Sequence, residues 1–384
     1  MAIFIACSLC LLSASACLSQ PIGRPPELGT PAWYFERVPA ERPSDLISTV
    51  GQLYTQTLPA VGREDLWTHI SSRPARAGDC EPLSNPAARI SEFVADLART
   101  TRVVIVNEAH DIPWHRSFTR SLLAPLWDQG YRYFAAETFL ELVNTRADEP
   151  FGRIDSGVYA SEPEFGELIR SAKQLGYELV AYEATEPPGM SDEAISDRIE
   201  YREEAQANNL IDRVLARDPD ARVLVHVGYS HAAEVPIPSI DGRMAWMAAR
   251  LKEKTGIDPL TIDQTYCHAS GNEPQLANPT NRLPAGTFDI AIAYPAVTLQ
   301  EGRARWRLAD GKRLVRLPDG LVPDDRRIIV EARRMNEPPE AIPVDRLLLE
   351  PGESIPLVLP IGAVRLTVLE EGGREDVDFQ FLVD

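Results

Sequence analysis

The sequence predicts an α/β protein, a mostly parallel sheet flanked by helices, followed by a C-terminal all-β module. Three observations carry that expectation. Short apolar runs alternate with helix-periodic segments between residues 103 and 293, as in strands buried on both faces and joined by crossover helices. Glycine or proline closes the periodic segments. From about residue 300 apolar and polar residues alternate strictly, as half-buried strands require.

Val103-Val104-Ile105-Val106 is a continuous apolar run and reads as the first strand. Phe118, Leu122, Leu123, Leu126 and Trp127 follow at helical spacing, and Gly130 ends that segment. Pro125 inside it predicts a kinked or split helix. Residues 131–136 read as a second strand. Ser161 and Glu164 have the spacing of a capping box, with Pro163 in the first turn and Gly176 suited to the C-terminal cap. Phe165, Leu168, Ile169, Ala172 and Leu175 form the apolar stripe between them. Residues 178–182 read as a third strand, about 192–217 as a long polar helix, and 222–227 as a fourth strand. Residues 244–254 form another helix closed by Gly256, and Thr261-Ile262 and residues 288–293 are further strand candidates. In the tail, Ala304, Trp306 and Leu308 alternate with arginines, and Asp310-Gly311 is a hairpin-turn signal. Alternation returns at Ile328, Val330 and Ala332, at Val364, Leu366 and Val368, and at Val377, Phe379, Phe381 and Val383.

At about 150 residues per domain, 384 residues suggest two or three domains. Residues 1–16 read as a signal peptide: an apolar run too short to span a bilayer, then Ala14-Ser15-Ala16 as a cleavage site. No Lys or Arg precedes the run, so a short buried helix is the alternative. Cys17 is a candidate lipidation site, although Ala14 stands where Leu or Val is usual. Residues 17–45, with Pro21, Pro25, Pro26, Pro31, Pro39 and Pro43, read as a Pro-rich tether. Residues 46–298 form the α/β catalytic-like domain and 299–384 a β-rich accessory domain. The expected location is exported, periplasmic or extracellular, with a possible lipid anchor. An oxidising compartment would permit Cys80 and Cys267 to pair, the alternative being two unrelated thiols.

Asp and Glu number 57 against 39 Lys and Arg, a net charge of −18. That balance argues against nucleic acid and anionic lipid surfaces as partners. A small-molecule or peptide substrate is expected instead, with membrane contact only through Cys17.

In open α/β sheets, ligands bind beyond the carboxyl ends of the strands. The first strand runs into Asn107-Glu108-Ala109-His110-Asp111, the second into Glu137, and the third into Glu183. The fourth runs into Gly228-Tyr229-Ser230-His231, with Glu234 just beyond. Histidine and carboxylate at equivalent strand ends suit acid–base work, because a carboxylate ending an apolar strand needs a partner. Tyr229, Arg202, His115 and Asp111 are candidate substrate-binding residues. Arg202, Gln206 and Asn209 share one helix face, either solvated or covering the sheet edge with Arg202 as a clamp. His226, inside the fourth strand, reads as a core histidine. Glu108, Asp111, Glu137, Glu183 and Glu234 in one cleft would raise one another's pKa values. No GxSxG elbow, HExxH helix, P-loop or GxGxxG is present.

The set Asn107-Glu108-Ala109-His110, Glu137, Glu183 and Gly228-Tyr229-Ser230-His231 resembles the erythromycin esterase and haem-binding-lipoprotein superfamily, with TraB-type proteases as distant relatives. Asn107 departs from the glycine of the first GxxH-type motif. The resemblance covers roughly residues 95–295. It implies hydrolysis of an ester, lactone or amide bond by activated water, without a covalent serine, and this leading reading takes no cofactor. His110 would be the general base, Glu137 would orient it, and His231 would serve the oxyanion or leaving group. Glu108 and Glu183 would complete the acidic wall. Two alternatives accompany it. One is a metal-dependent TraB-like hydrolase with His110, His231 and Glu137 on a divalent ion. The other is a haem- or iron-binding lipoprotein with Tyr229, His110, His115 or His231 as axial ligand.

Overall fold

Among the described residues, four α-helices precede the first strand, where the sequence reading places no element: α1 (Pro31–Arg37), α2 (Thr49–Thr57), α3 (Glu64–Ile70) and α4 (Ile90–Leu97). In chain order then come β1 (Val103–Glu108), α5 (Trp114–Trp127), β2 (Tyr133–Ala136), α6 (Pro163–Leu175), β3 (Glu178–Ala181), α7 (Ile195–Leu210) and β4 (Val223–Gly228). A short hairpin, β5 (Ile237–Ser239) and β6 (Gly242–Met244), leads to α8 (Met247–Thr255), β7 (Leu260–Asp263), β8 (Gln275–Ala277) and β9 (Ile290–Ala293). These assignments come from a computed structural model, which describes residues 27–70, 80–84, 89–141, 143, 148–185, 187, 189–239, 242–373 and 375–384. The signal peptide, Cys17, Pro21, Pro25 and Pro26 lie outside the described residues.

The main sheet has seven strands in the order β3-β2-β4-β1-β7-β9-β8, parallel except for β8. Its period-2 logic is visible in β1. Val104 and Val106 pack with Leu122, Phe134 and Leu168 on one face. Val103 and Ile105 pack with Leu210, Val225 and Met247 on the other. Both faces are covered, which is why the run reads as continuously apolar. β4 inserts between β1 and β2, so residues leaving these strands emerge side by side.

Local expectations need correction in four places. α5 runs through Pro125 unbroken; the proline lies in its last turn and removes a single ladder hydrogen bond. The N-cap of α6 is Glu162, not Ser161: its carboxylate accepts from the Phe165 N–H at 2.9 Å, while the Ser161 hydroxyl shares a hydrogen bond with the Tyr34 hydroxyl at 2.8 Å. Gly176 closes that helix at φ 97° as expected. Residues 305–311 form tight helical turns broken at Ala309 and Asp310 rather than a strand and hairpin. There Trp306 stacks on Trp114 (5.9 Å between ring centroids) and Arg307 reaches the Glu64 carboxylate. The fourth place is the tether. Its described part, from residue 27, holds α1, begun by Pro31 in the first turn. Trp33, Tyr34 and Phe35 are buried against Leu58, Val61 and Trp67, and against Ile329 and Leu348 of the tail.

The tail contains β10 (Leu299–Gln300), β11 (Arg303–Ala304), β12 (Arg313–Val315), β13 (Ile328–Arg334), β14 (Asp345–Leu349), β15 (Leu357–Leu359), β16 (Gly362–Glu370) and β17 (Glu375–Val383). An antiparallel sheet of order β14-β13-β16-β17 encloses its own core of Val330, Leu347, Leu366 and neighbours. It is also locked to the rest of the chain. The buried Arg346 donates to Glu331 (2.6 Å) and to the carbonyls of Ala60 (3.2 Å) and Ser161 (3.1 Å). Arg170 of α6 binds Glu337 at 2.7 Å. Cys80 and Cys267 form a disulfide, with Cα atoms 5.6 Å apart, beside the Cys267–Ala293 apolar cluster.

Removing one member of a buried ion pair costs about 3–5 kcal/mol. Arg346→Ala should therefore lower unfolding free energy by that amount in urea titration, in one transition spanning both sheets. Cys267→Ser should cost about 2–4 kcal/mol under non-reducing conditions, and a thiol reductant should reproduce that loss in the parent protein.

Candidate active site

Parallel register levels the strand ends. Glu108 pairs with Gly228 across β1 and β4, and Ala136 with His226 across β2 and β4. The residues that follow these positions therefore meet at one edge of the sheet.

His110 Nδ1 donates to Glu108 Oε1 at 2.9 Å. The Glu108 carboxylate is further held by Arg116 Nε (2.7 Å), Arg116 Nη2 (2.8 Å) and His226 Nε2 (2.9 Å). Burial by itself pushes this carboxyl up, but Arg116 and His226 outweigh it and hold it well below the usual carboxylate range. An ionised partner at Nδ1 fixes the proton there and turns the Nε2 lone pair outward. Tyr159 stacks on the His110 ring at 3.8 Å, and Tyr229 meets it edge-on at 5.3 Å. His226 is buried as the sequence predicts, yet it belongs to the site: its Nδ1 shares a hydrogen bond with the Thr119 hydroxyl at 3.0 Å while Nε2 holds Glu108.

Glu137 Oε2 accepts from the Gly228 N–H at 2.6 Å, and Oε1 accepts from Arg202 Nη2. Burial opposes ionisation here too, and His231, Arg202 and His110 overcome it, so this carboxyl also lies well below its ordinary range. Gly228 is glycine for lack of room. A Cβ there would lie 2.6 Å from His110 Cε1, 2.8 Å from His110 Nε2 and 3.1 Å from Glu137 Oε2. The next residue, Tyr229, adopts φ 39°, a strained value for an aromatic residue. Asn107, which replaces the expected motif glycine, steadies this corner. Its Nδ2 donates to the Tyr229 carbonyl and to Asp263, each at 2.9 Å.

Arg202 clamps the next strand ends. It donates to Glu183 from Nε (3.1 Å) and Nη2 (2.5 Å), to Glu137, and from Nη1 to His231 Nε2 (3.1 Å). Gln206 Nε2 donates to Glu183 (3.0 Å) and Asn209 Nδ2 to the Tyr182 carbonyl (3.0 Å), so this helix face covers the sheet edge rather than facing solvent. His231 lies behind Arg202, buried, with Nδ1 on Glu203 at 2.7 Å and Nε2 3.6 Å from Glu137. Burial lowers its pKa, but Glu203 and Glu137 prevail and raise it. Sequence reasoning missed Glu203. In the run Glu200-Tyr201-Arg202-Glu203-Glu204 nothing marks the one carboxylate that is fully buried.

Three candidates lie elsewhere. Asp111 accepts from the Trp67 indole at 3.1 Å, and His115 Nδ1 accepts from the Ala109 N–H at 3.0 Å, so both brace the backbone around His110. Glu234 lies apart, bound to Thr261 (2.6 Å) and Lys252 (2.8 Å), and burial pushes its carboxyl up to about 7. The expected mutual elevation of the cleft carboxylates is also overturned. Glu108 and Glu137 are lowered, because Arg116 and Arg202 lie among them.

A cleft of about 160 Å³ opens over His110, Glu137, Glu183 and Arg202. Its opposite wall comes from Trp33 and Tyr34 of α1, Leu53 of α2, and Leu140, Val158 and Tyr159. Among the described residues no group of three His, Cys, Asp or Glu is arranged to hold a metal ion. The Arg202 guanidinium lies between Glu137, Glu183 and His231. Of the donors named for haem, His110 lines the cleft with Nδ1 on Glu108. Both His231 ring nitrogens and His115 Nδ1 are engaged, and the cleft is smaller than the ~300–1,000 Å³ usual for drug-sized ligands.

Fold and site together define an α/β protein with His–Glu and Arg–Glu pairs gathered at the carboxyl edge of its sheet. No family model matches the chain, and no curated protein matches it. Solved structures do. A bacterial protein toxin aligns at TM-score 0.35 and 16% identity over 46% of this chain; the match spans 37% of the toxin's own length. The type III effector HopBA1 aligns at TM-score 0.37 and 14% identity over 56% of this chain and 97% of its own. ChaN of Campylobacter jejuni, described by its cofacial haem binding, aligns at TM-score 0.33 and 10% identity over 53% of this chain and 91% of its own.

Glu108 and Glu137 titrate below their unfolded value of about 4.3. The stability they contribute is present above that pH and is lost as pH falls beneath it. His231 is shifted upward, so its contribution is present below about pH 6.5 and is lost as pH rises through its folded value. Urea midpoints across pH should thus fall on the acid side, and Glu108→Gln should flatten that limb. An unchanged acid limb would contradict the assignment.

Proposed function

We propose that the chain is an exported hydrolase of an ester, lactone or amide bond, using water activated at His110 and Glu137. The observation that supports this most directly is that His110 Nε2 and Glu137 Oε2 both flank the bare Cα of Gly228, with Nδ1 held by an ionised Glu108. That arrangement suits a general base with an oriented lone pair.

In this reading His110 Nε2 removes a proton from water while Glu137 accepts the other water O–H. The water oxygen bonds to the carbonyl carbon, and the carbonyl electron pair moves onto oxygen beside Arg202. His110 then delivers its proton to the leaving oxygen or nitrogen as that bond breaks, giving an acid and an alcohol or amine. Glu108 stabilises the transient imidazolium, as a buried carboxylate does for a catalytic histidine. His231 lies behind Arg202 and acts by holding Arg202 and Glu137 in place. The Cys80–Cys267 disulfide supports an oxidising, exported location. A metal-dependent hydrolase and a haem-binding protein are the alternatives; the Arg202 guanidinium and the engaged His231 nitrogens weigh against both.

Purified protein should turn over a member of an ester, lactone and amide panel. His110→Ala should lower kcat by about 10²–10⁴-fold with an unchanged circular-dichroism melt. Full turnover in the variant would sink the reading.

A further inference from the structure

We infer that the substrate carries, beside its scissile carbonyl, an uncharged apolar group of about phenyl to hexyl size, held against the wall formed by α2 and the Leu140 and Val158 segments. The inference rests on the hydrolase reading of the same cleft.

The floor and the wall of the cleft differ in chemistry. On the floor every charged side chain named here is paired. Arg202 pairs with Glu137 and Glu183, and Arg116 pairs with Glu108 and Glu162. Each of these charged side chains already has an oppositely charged partner, and the carboxylates outnumber the guanidiniums, which disfavours an anionic substrate group. The facing wall is mostly apolar where it meets solvent, with Arg37 and Gln56 half-buried in it. Leu140 is 46% exposed and Val158 43% exposed, and both line the cleft. Leu53 lines it from α2, and Val50, one turn earlier on the same helix face, is 62% exposed. Exposed large apolar side chains that converge on one cleft mark a binding surface, whereas scattered ones do not.

The wall is ordered rather than adventitious. The Leu140 N–H donates to the Ser156 carbonyl at 2.9 Å, and the Thr138 hydroxyl accepts from the Tyr159 N–H at 2.9 Å. Its polar members are engaged with one another: the Tyr159 hydroxyl donates to Gln56 at 3.3 Å, and Arg37 lies over the Trp33 ring at 3.5 Å. The volume, about 160 Å³, is close to the ~150 Å³ of an apolar cavity that takes up benzene. A carbonyl seated over His110 and Arg202 would direct its substituent along this wall.

The test uses the whole protein with 4-nitrophenyl acetate, hexanoate, phenylacetate and hemisuccinate. kcat/KM should rise by up to about fourfold per added methylene until a hexyl-sized chain fills the cleft. The hemisuccinate should fall at least tenfold below the hexanoate. Leu140→Asp combined with Val158→Asp changes exposed positions, so the melting temperature should hold. The hexanoate-to-acetate ratio should drop at least tenfold in that variant. A flat chain-length response, or an unchanged ratio in the variant, overturns the inference while leaving the hydrolase reading intact. If none of these esters is turned over, the hydrolase reading still stands or falls with the ester, lactone and amide panel, and calorimetry on His110→Ala decides the inference separately. Hexanamide must bind at least tenfold more tightly than acetamide; equal binding overturns it.

Discussion

Glu108 cannot be buried as an anion without Arg116, and that requirement organises much of the molecule. Arg116 also binds Glu162 at 3.1 Å; Glu162 binds Arg307 at 3.2 Å; Arg307 binds Glu64. Glu64 in turn meets Arg303 at 3.4 Å, and Arg303 meets Asp345 at 2.9 Å. The signs alternate along the whole chain of groups, and all of these side chains are buried. A single buried ion pair is weak evidence of stability, because desolvation offsets attraction. The consequence here is specificity of arrangement. Each guanidinium is shared by two carboxylates, so none can leave its place without stranding a charge. The carboxylate that orients His110 is thereby tied to α3, the N-terminus of α6 and strands of the tail.

The same device recurs at the neighbouring strand ends with a different result. Arg202 lies between Glu137, Glu183 and His231, and offsets part of the negative charge at this edge of the sheet. His110 and His231 both rest on glutamates, but only His110 lines the cleft. His231 is shielded by Arg202. Two histidines of similar sequence context thus take different positions: one lines the cleft, and the other contacts Arg202 behind it.

Much of the sheet was legible in the sequence because burial on both faces leaves an unmistakable trace. Val103 to Val106, residues 222–227 and Ile290 to Ala293 are apolar runs too short for helices. The strand-end residues were legible for the same reason: a polar residue directly after such a run must sit at the sheet edge. The pairings were not. Nothing along the chain shows that Glu203 rather than Glu204 turns inward, that Arg116 reaches Glu108, or that His226 is a hydrogen-bond partner as well as a core residue. Prolines near the start suggested a tether, but Trp33, Tyr34 and Phe35 outweigh them by burying their rings against the tail.

Local sequence alone determined the α/β class, the alternating tail, and the set His110, Glu137, Glu183 and His231 at the strand ends. Periodicity and burial are properties of neighbours in the chain, and they can be read without coordinates. Tertiary structure decided the order of strands that inserts β4 between β1 and β2, the partial neutralisation of the acidic edge by Arg116 and Arg202, and the use of α1 and α2 as a cleft wall. Those features depend on which distant groups share a desolvated space. Ion pairing in such a space is set by position to within an ångström, and sequence spacing carries no record of it.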